Sequence, residues 1–80
     1  MKTFTTTFSG NASELISKAK NAAANAGAYF NGDEHGGSFS GKGVEGYYKV
    51  NGNNVEITIT AKPFLAPWSI VESTIRGFFN

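Results

Sequence analysis

The chain has 80 residues, which is room for one small domain, residues 1–80, with a single core. Seven Lys and Arg against six Asp and Glu give a net charge of +1, which disfavours strongly electrostatic partners such as duplex DNA or an anionic membrane. The absence of cysteine excludes a disulfide framework and a thiolate metal site, and no segment is long and apolar enough to span a bilayer.

The N-terminal part predicts a strand followed by a helix. Residues 3–8 are β-branched and aromatic, as in a short strand. Asn11 lies three residues before Glu14, which is the spacing of a capping box at a helix N-terminus. Gly27 is well placed to end this helix in a left-handed conformation. The helix has a mostly alanine apolar stripe that consists of Ala12, Leu15, Ile16, Ala19, Ala22, Ala23 and Ala26.

The middle of the chain predicts an antiparallel sheet. Residues 28–31 indicate a short second strand. Residues 44–50 and 55–62 alternate between apolar and polar side chains, with the hairpin signal Asn51-Gly52 between them. A loop of two or four residues would place both apolar rows on the same face. This hairpin therefore has one buried and one wet face, which is typical of a sheet covered on one side only.

Phe39 does not fit this alternation. If Val44 points inward, a regular strand would send Phe39 to the polar face. The glycines at 41 and 43 can host a β-bulge that resets the alternation. We therefore predict one long strand over residues 38–50 that is kinked at these glycines. The alternative is two strands joined by a glycine loop.

The C-terminal part predicts a second helix. Pro63 and Pro67 end the preceding strand, and Pro67 suits the first turn of a helix. Ile70 falls nearly opposite the apolar stripe, so it is exposed if the helix packs alone. The predicted order is β-α-β-β-β-α with both helices on the apolar face of the sheet, which is an α+β two-layer sandwich. The stripe of this helix consists of Trp68, Val71, Ile75, Phe78 and Phe79.

The C-terminal segment carries more apolar surface than one helix face can bury in so small a core. For Trp68, core packing is favoured over contact with a partner. For Ile70, Phe78 and Phe79 the two roles are evenly balanced. The predicted interface consists of Phe64, Leu65, Trp68, Ile70, Phe78 and Phe79.

The sequence offers no arrangement of residues that supports catalysis, a metal site or a cofactor. His35 is the only histidine, next to Asp33 and Glu34. Because neighbouring residues of an extended loop point apart, a solvated histidine is favoured over a metal ligand. The glycines of residues 36–43 match neither the Walker nor the dinucleotide-binding spacing. We expect no enzymatic activity and no cofactor.

A single-stranded nucleic-acid-binding module is the alternative function. Tyr47 lies on the polar face of the predicted sheet, where its ring can stack on a base. Its neighbours Glu45 and Lys49 do not provide a basic surround, so cross-strand packing is the favoured role of Tyr47. A double-stranded RNA-binding domain is rejected because the first turn of the last helix contains no lysine.

Residues 39–46 read Phe-Ser-Gly-Lys-Gly-Val-Glu-Gly and precede an alternating hairpin, a short apolar break and a helix. This pattern resembles the polyhydroxyalkanoic acid system protein family, in which an N-terminal strand and an Ala/Leu-rich helix precede a strand reading roughly Phe-x-x-x-Gly-Val-x-Gly. The present chain is less charged and has a shorter C-terminal helix. The resemblance implies a cytoplasmic, non-enzymatic protein associated with polyester storage granules or their biosynthetic apparatus. It carries over no functional residues.

The resulting hypothesis is a small non-enzymatic binding or self-association protein. Its expected partner is a protein or a hydrophobic granule surface, and self-association would give a homodimer. The N-terminus runs into threonines where a secretory signal would have an apolar stretch, and cysteine is absent. Both features favour a cytoplasmic location.

Overall fold

The computed structural model describes residues 1–63 and 65–78, with the side chain of Phe78 left out. The elements are β1 (Lys2–Thr7), α1 (Ala12–Asn25), β2 (Tyr29–Gly32), β3 (Gly36–Gly41), β4 (Val44–Asn51), β5 (Asn54–Ala61) and α2 (Trp68–Phe78). The described strands form one antiparallel sheet in the order β1-β5-β4-β3-β2. Both helices contribute to one core on one face of this sheet, which confirms the predicted two-layer α+β class.

The prediction of one long strand over residues 38–50 is wrong, and the alternative of two strands is correct. Lys42 and Gly43 form a two-residue turn between β3 and β4, with φ of 53° and 82°. Positive φ at both turn residues is the type I′ geometry, whose twist matches that of the flanking strands. The sheet therefore has five strands, one more than the predicted order contains.

The same turn, and not a β-bulge, explains how Phe39 reaches the apolar face of the sheet. Phe39 pairs with Gly46 across β3 and β4, so both face the helices. A Cβ atom on Gly46 would lie 2.8 Å from Cζ of Phe39, so the phenyl ring fills the space that the glycine leaves. A register shift does occur, but it lies between Glu45 and Gly46 in the pairing with β5.

The predicted hairpin of β4 and β5 is confirmed. Its two-residue loop is Gly52-Asn53, with φ of 64° at Gly52, as in a type II′ turn. Because the loop has two residues, the apolar rows of both strands meet on one face, as expected. Tyr48 lies opposite Ile57 in this register.

Both predicted ends of α1 are confirmed. The Asn11 side chain accepts a hydrogen bond from the backbone N–H of Ser13 at 2.7 Å, which satisfies one of the free donors of the first turn. Gly27 follows the helix with φ of 77°. Four residues of the stripe are buried: Leu15, Ile16, Ala19 and Ala23.

The C-terminal helix α2 is attached to the edge strand β1. The Arg76 guanidinium lies 4.8 Å from the centre of the Phe4 ring, and its Nη1 donates to the backbone oxygen of Thr5 at 3.4 Å. The carboxylate of Glu72 forms two ion pairs: its Oε2 lies 3.4 Å from Nη2 of Arg76, and its Oε1 lies 3.8 Å from Nζ of Lys2 on β1. These contacts hold the second half of α2 over one edge of the sheet.

The core lies between the helices and the strands β1, β5 and β4. Val55, Ile57 and Ile59 of β5 are completely buried. Val71 and Ile75 of α2 are also buried, as predicted. The remaining members of the buried cluster are Phe4, Leu15, Ile16, Ala19 and Tyr48.

Tyr48 connects the core to the turn between β2 and β3. Its ring stacks on Phe30 with the ring centres 5.2 Å apart, and its hydroxyl donates to the backbone oxygen of Asp33 at 2.7 Å. The Asp33 carboxylate accepts from the backbone N–H groups of His35 and Gly36, at 2.8 and 3.2 Å. These hydrogen bonds lower the pKa of Asp33.

Burial, with a smaller contribution from the negative charge of Asp33, raises the pKa of Tyr48 from 10.0 to about 12. The folded state therefore holds this proton more tightly than the unfolded state. The stabilisation is complete below about pH 10 and is lost as the pH rises from about 10 to about 12, by up to about 1.4 kcal/mol per pH unit. We expect the free energy of unfolding to fall more steeply across this interval in the wild type than in Tyr48→Phe. Urea titrations at several alkaline pH values measure the difference.

Tyr47→Phe is the matched control, because Tyr47 is the neighbouring residue and faces solvent. It should keep the alkaline slope of the wild type. Equal slopes for the wild type and Tyr48→Phe would contradict the assignment of this proton to Tyr48.

Candidate binding surfaces

The described part of the predicted interface forms a small apolar surface at the start of α2. Leu65 is 88% and Ile70 60% exposed, whereas Trp68 is half-buried and packs against the core. The exposure predicted for Ile70 is thus confirmed. We call Leu65, Trp68 and Ile70 the C-terminal apolar surface. Of the other predicted interface residues, Phe64, Phe79 and the Phe78 side chain lie outside the described part of the chain.

The turn that presents Leu65 is held by hydrogen bonds. The backbone N–H of Ala66 donates to the carbonyl of Pro63 at 3.1 Å. The Lys62 ammonium donates to the carbonyl of Ala66 at 2.6 Å and lies 5.3 Å from the centre of the Trp68 ring. The ammonium group therefore satisfies the carbonyl of Ala66 and faces the aromatic ring of Trp68, and both contacts are favourable.

The face of the sheet opposite the helices is uncovered in the described structure. Small side chains of β3 lie there between larger ones of β2 and β4: Ser40 is flanked by Tyr29 and Glu45, and Ser38 by Asn31 and Tyr47. A depression of about 240 Å³ results, which we call the open-face groove. Its lining residues are Tyr29, Asn31, Ser38, Phe39, Ser40, Glu45, Gly46 and Thr60.

The open-face groove is polar but carries little charge. Glu45 is the only ionisable carboxyl group among its lining residues, and none of them is cationic. Tyr29 on the edge strand β2 is 78% exposed, and Tyr47 beyond the other wall is 48% exposed. Tyr47 was predicted from the sequence to lie on this face, whereas Tyr29 was not. Tyr29 alternates with the inward Phe30, which would place Tyr29 on the open face. The predicted strand was too short to show which residues lie beside it.

A larger depression of about 380 Å³ lies between the end of β1 and the first turns of α1. Phe8 and Leu15 contribute apolar atoms to it, and Glu14 and Lys18 line its helix side. None of its lining residues belongs to the interface predicted from the sequence.

The structure places His35 in solvent. Its side chain is 85% exposed, and its Nε2 atom lies 3.9 Å from a carboxylate oxygen of Glu34. Among residues 1–63 and 65–78, no three His, Asp or Glu side chains are grouped as metal ligands would be. Within the same residues, neither helix combines the length and apolar character that crossing a membrane requires.

No protein-family model, curated protein or solved structure matches this chain. The resemblance to the polyhydroxyalkanoic acid system family therefore stays a prediction, based on the residues quoted for it.

Proposed function

We propose that this protein is a small, non-enzymatic binding protein of the cytoplasm that attaches to polyester storage granules through its C-terminal apolar surface. The single observation that supports the proposal is the exposure of two large aliphatic side chains, Leu65 and Ile70, close together in the chain. The family resemblance supports the granule as the site of attachment, and the proteins that synthesise the polyester as further partners there.

The energetics favour an extended apolar surface over a small specific partner. Burying a Leu or Ile side chain contributes about 1.5–3 kcal/mol, so Leu65 and Ile70 together contribute roughly 3–6 kcal/mol. Association of two freely diffusing proteins costs about 4–15 kcal/mol, so these two side chains do not sustain a tight complex alone. A protein adsorbed on a granule keeps its lateral freedom, and a polyester surface needs no complementary pocket.

Binding to polyhydroxybutyrate particles tests the proposal. We expect the wild type to sediment with the particles and Leu65→Ser/Ile70→Ser to bind at least about 100-fold more weakly, because two apolar contacts that contribute roughly 3–6 kcal/mol are lost. Both positions are exposed, so the variant should remain folded. Tyr29→Ser is the matched control, because it removes a large side chain of similar exposure from the edge strand β2, on the opposite side of the sheet from β1. It should bind like the wild type.

Sedimentation velocity of the same proteins without particles tests self-association. A wild-type homodimer that the double substitution dissociates would assign this surface to a second copy. A wild type that is monomeric and does not bind the particles would overturn the proposal.

A further inference from the structure

The open-face groove is built on the rigid part of the fold, unlike a depression between loops. Its floor is the row of β3, and its walls are side chains of β2 and β4, which pair with β3 on either side. Since neighbouring strands are about 4.8 Å apart, the two walls stand roughly 10 Å from one another. The small side chains of Ser38 and Ser40 leave this space open. A single ring of a ligand fits between the walls.

The polar atoms of the groove are suited to hydroxyl groups. Ser38 and Ser40 can each donate and accept, the Asn31 amide does both, and the Glu45 carboxylate accepts. Within the part of the chain that the structure describes, these four side chains make no hydrogen bond or ion pair with one another or with other residues. Their hydrogen-bonding capacity is directed to solvent and is available to a ligand that alternates donors and acceptors over a short distance.

The charge of the groove selects against phosphate. Glu45 is its one charged lining residue, and a phosphate group would meet this carboxylate with no cation in the lining to neutralise it. Single-stranded nucleic acid requires a positively charged path along its backbone, which this groove does not provide. A neutral ligand with many hydroxyl groups loses nothing from the carboxylate and gains a strong acceptor from it.

Tyr29 supplies an aromatic ring on which a sugar can stack. Its ring is mostly exposed at the groove's outer wall, and it lies in register with Ser40 and, beyond it, Glu45. The negative face of an aromatic ring attracts the weakly positive C–H bonds that cover one face of a sugar ring. Tyr47 lies beyond the opposite wall, in register with Ser38, and is half-exposed, so it can meet the next sugar of a chain. A polar floor with an aromatic side chain on one wall and a second one beyond the other wall fits a short carbohydrate chain.

From these observations we propose that the open-face groove binds a neutral oligosaccharide. Tyr29 stacks on a sugar ring, and the hydroxyls of Ser38 and Ser40 with the carboxylate of Glu45 bond to its hydroxyl groups. This site lies on the face of the sheet opposite the helices and does not depend on the proposed attachment to granules.

Titration of the ¹⁵N-labelled protein with maltotriose, cellotriose and triacetylchitotriose, followed by NMR, tests the proposal. We expect at least one of the three to shift the backbone amide signals of residues 29–31, 38–40 and 45–47 in a saturable way. Tyr29→Ala should weaken that binding about tenfold, because the stacked ring is lost, and Tyr29→Phe should restore it. Thr5→Ala is the matched control on the same face outside the groove and should bind like the wild type.

Three results would overturn the proposal. The first is that none of the three sugars shifts the groove signals. The second is that Tyr29→Ala binds as well as the wild type. The third is that a ten-residue oligothymidylate shifts these signals at lower concentration than any of the sugars, which would assign the groove to nucleic acid. The Leu65→Ser/Ile70→Ser variant should keep full sugar binding, so failure here and failure of granule binding are separable.

Discussion

Ile57→Ala is expected to lower the free energy of unfolding by about 2–5 kcal/mol, because it leaves a cavity in the most completely buried part of the core. Ile57 is in the second strand from the edge, β5, with β1 on one side and β4 on the other. It lies opposite Phe4 and Tyr48, both of them buried. A domain of this size has a total stability of roughly 4–12 kcal/mol, so the substitution should remove a substantial part of it.

Ile70→Ala is the matched control, since it makes the same chemical change at a side chain that is 60% exposed. Its cost should be within about 0.5 kcal/mol of zero. Urea denaturation followed by circular dichroism measures both variants, and the midpoint should shift strongly for one and barely for the other. Comparable losses for the two variants would contradict the burial that the structure assigns to β5 and α2.

The elements with a strong period in the sequence were predicted correctly. The hairpin of β4 and β5 alternates over its whole length, and only one orientation of its strands buries Val55, Ile57 and Ile59 together. The helix α1 has capping residues at both ends, Asn11 and Gly27, in addition to its stripe. Local signals agree with the period in both cases, which is why the prediction succeeded.

The turn at residues 42–43 was missed for a physical reason. A type I′ turn needs positive φ at both positions, and glycine is the residue that usually allows this. Here Lys42 adopts φ of 53° with only one glycine in the turn itself, Gly43. The segment Gly41-Lys42-Gly43 was therefore interpreted as a kink within one strand. The inward direction of Phe39 was attributed to a bulge at these glycines, whereas the structure has its register shift between Glu45 and Gly46.

The two candidate surfaces differ in how far the sequence could reveal them. Leu65 and Ile70 were predicted as interface residues because the C-terminal segment carries more apolar side chains than one helix face can bury in so small a core. The open-face groove depends on the strand order, which places Tyr29 and Glu45 on either side of Ser40. No local pattern carries the order of strands, so this site could not be predicted without the structure.

The two surfaces also lie on different layers of the molecule. The C-terminal apolar surface belongs to the helical layer and the turn before it, whereas the groove is on the uncovered face of the sheet. A protein attached to a granule through Leu65 and Ile70 would keep the groove accessible. The separation of the two layers is the claim on which both proposals depend.

Thiol labelling of single cysteine variants tests that separation most directly, because the chain has no cysteine of its own. Glu56 and Ile57 are neighbours on β5, one exposed and the other completely buried under the helices. Glu56→Cys should react with a thiol reagent at about the rate of an unfolded peptide. Ile57→Cys should react at least about 100-fold more slowly, because its thiol becomes accessible only when the fold opens. Equal rates at the two positions, or faster labelling of Ile57→Cys, would contradict a sheet with one covered and one open face.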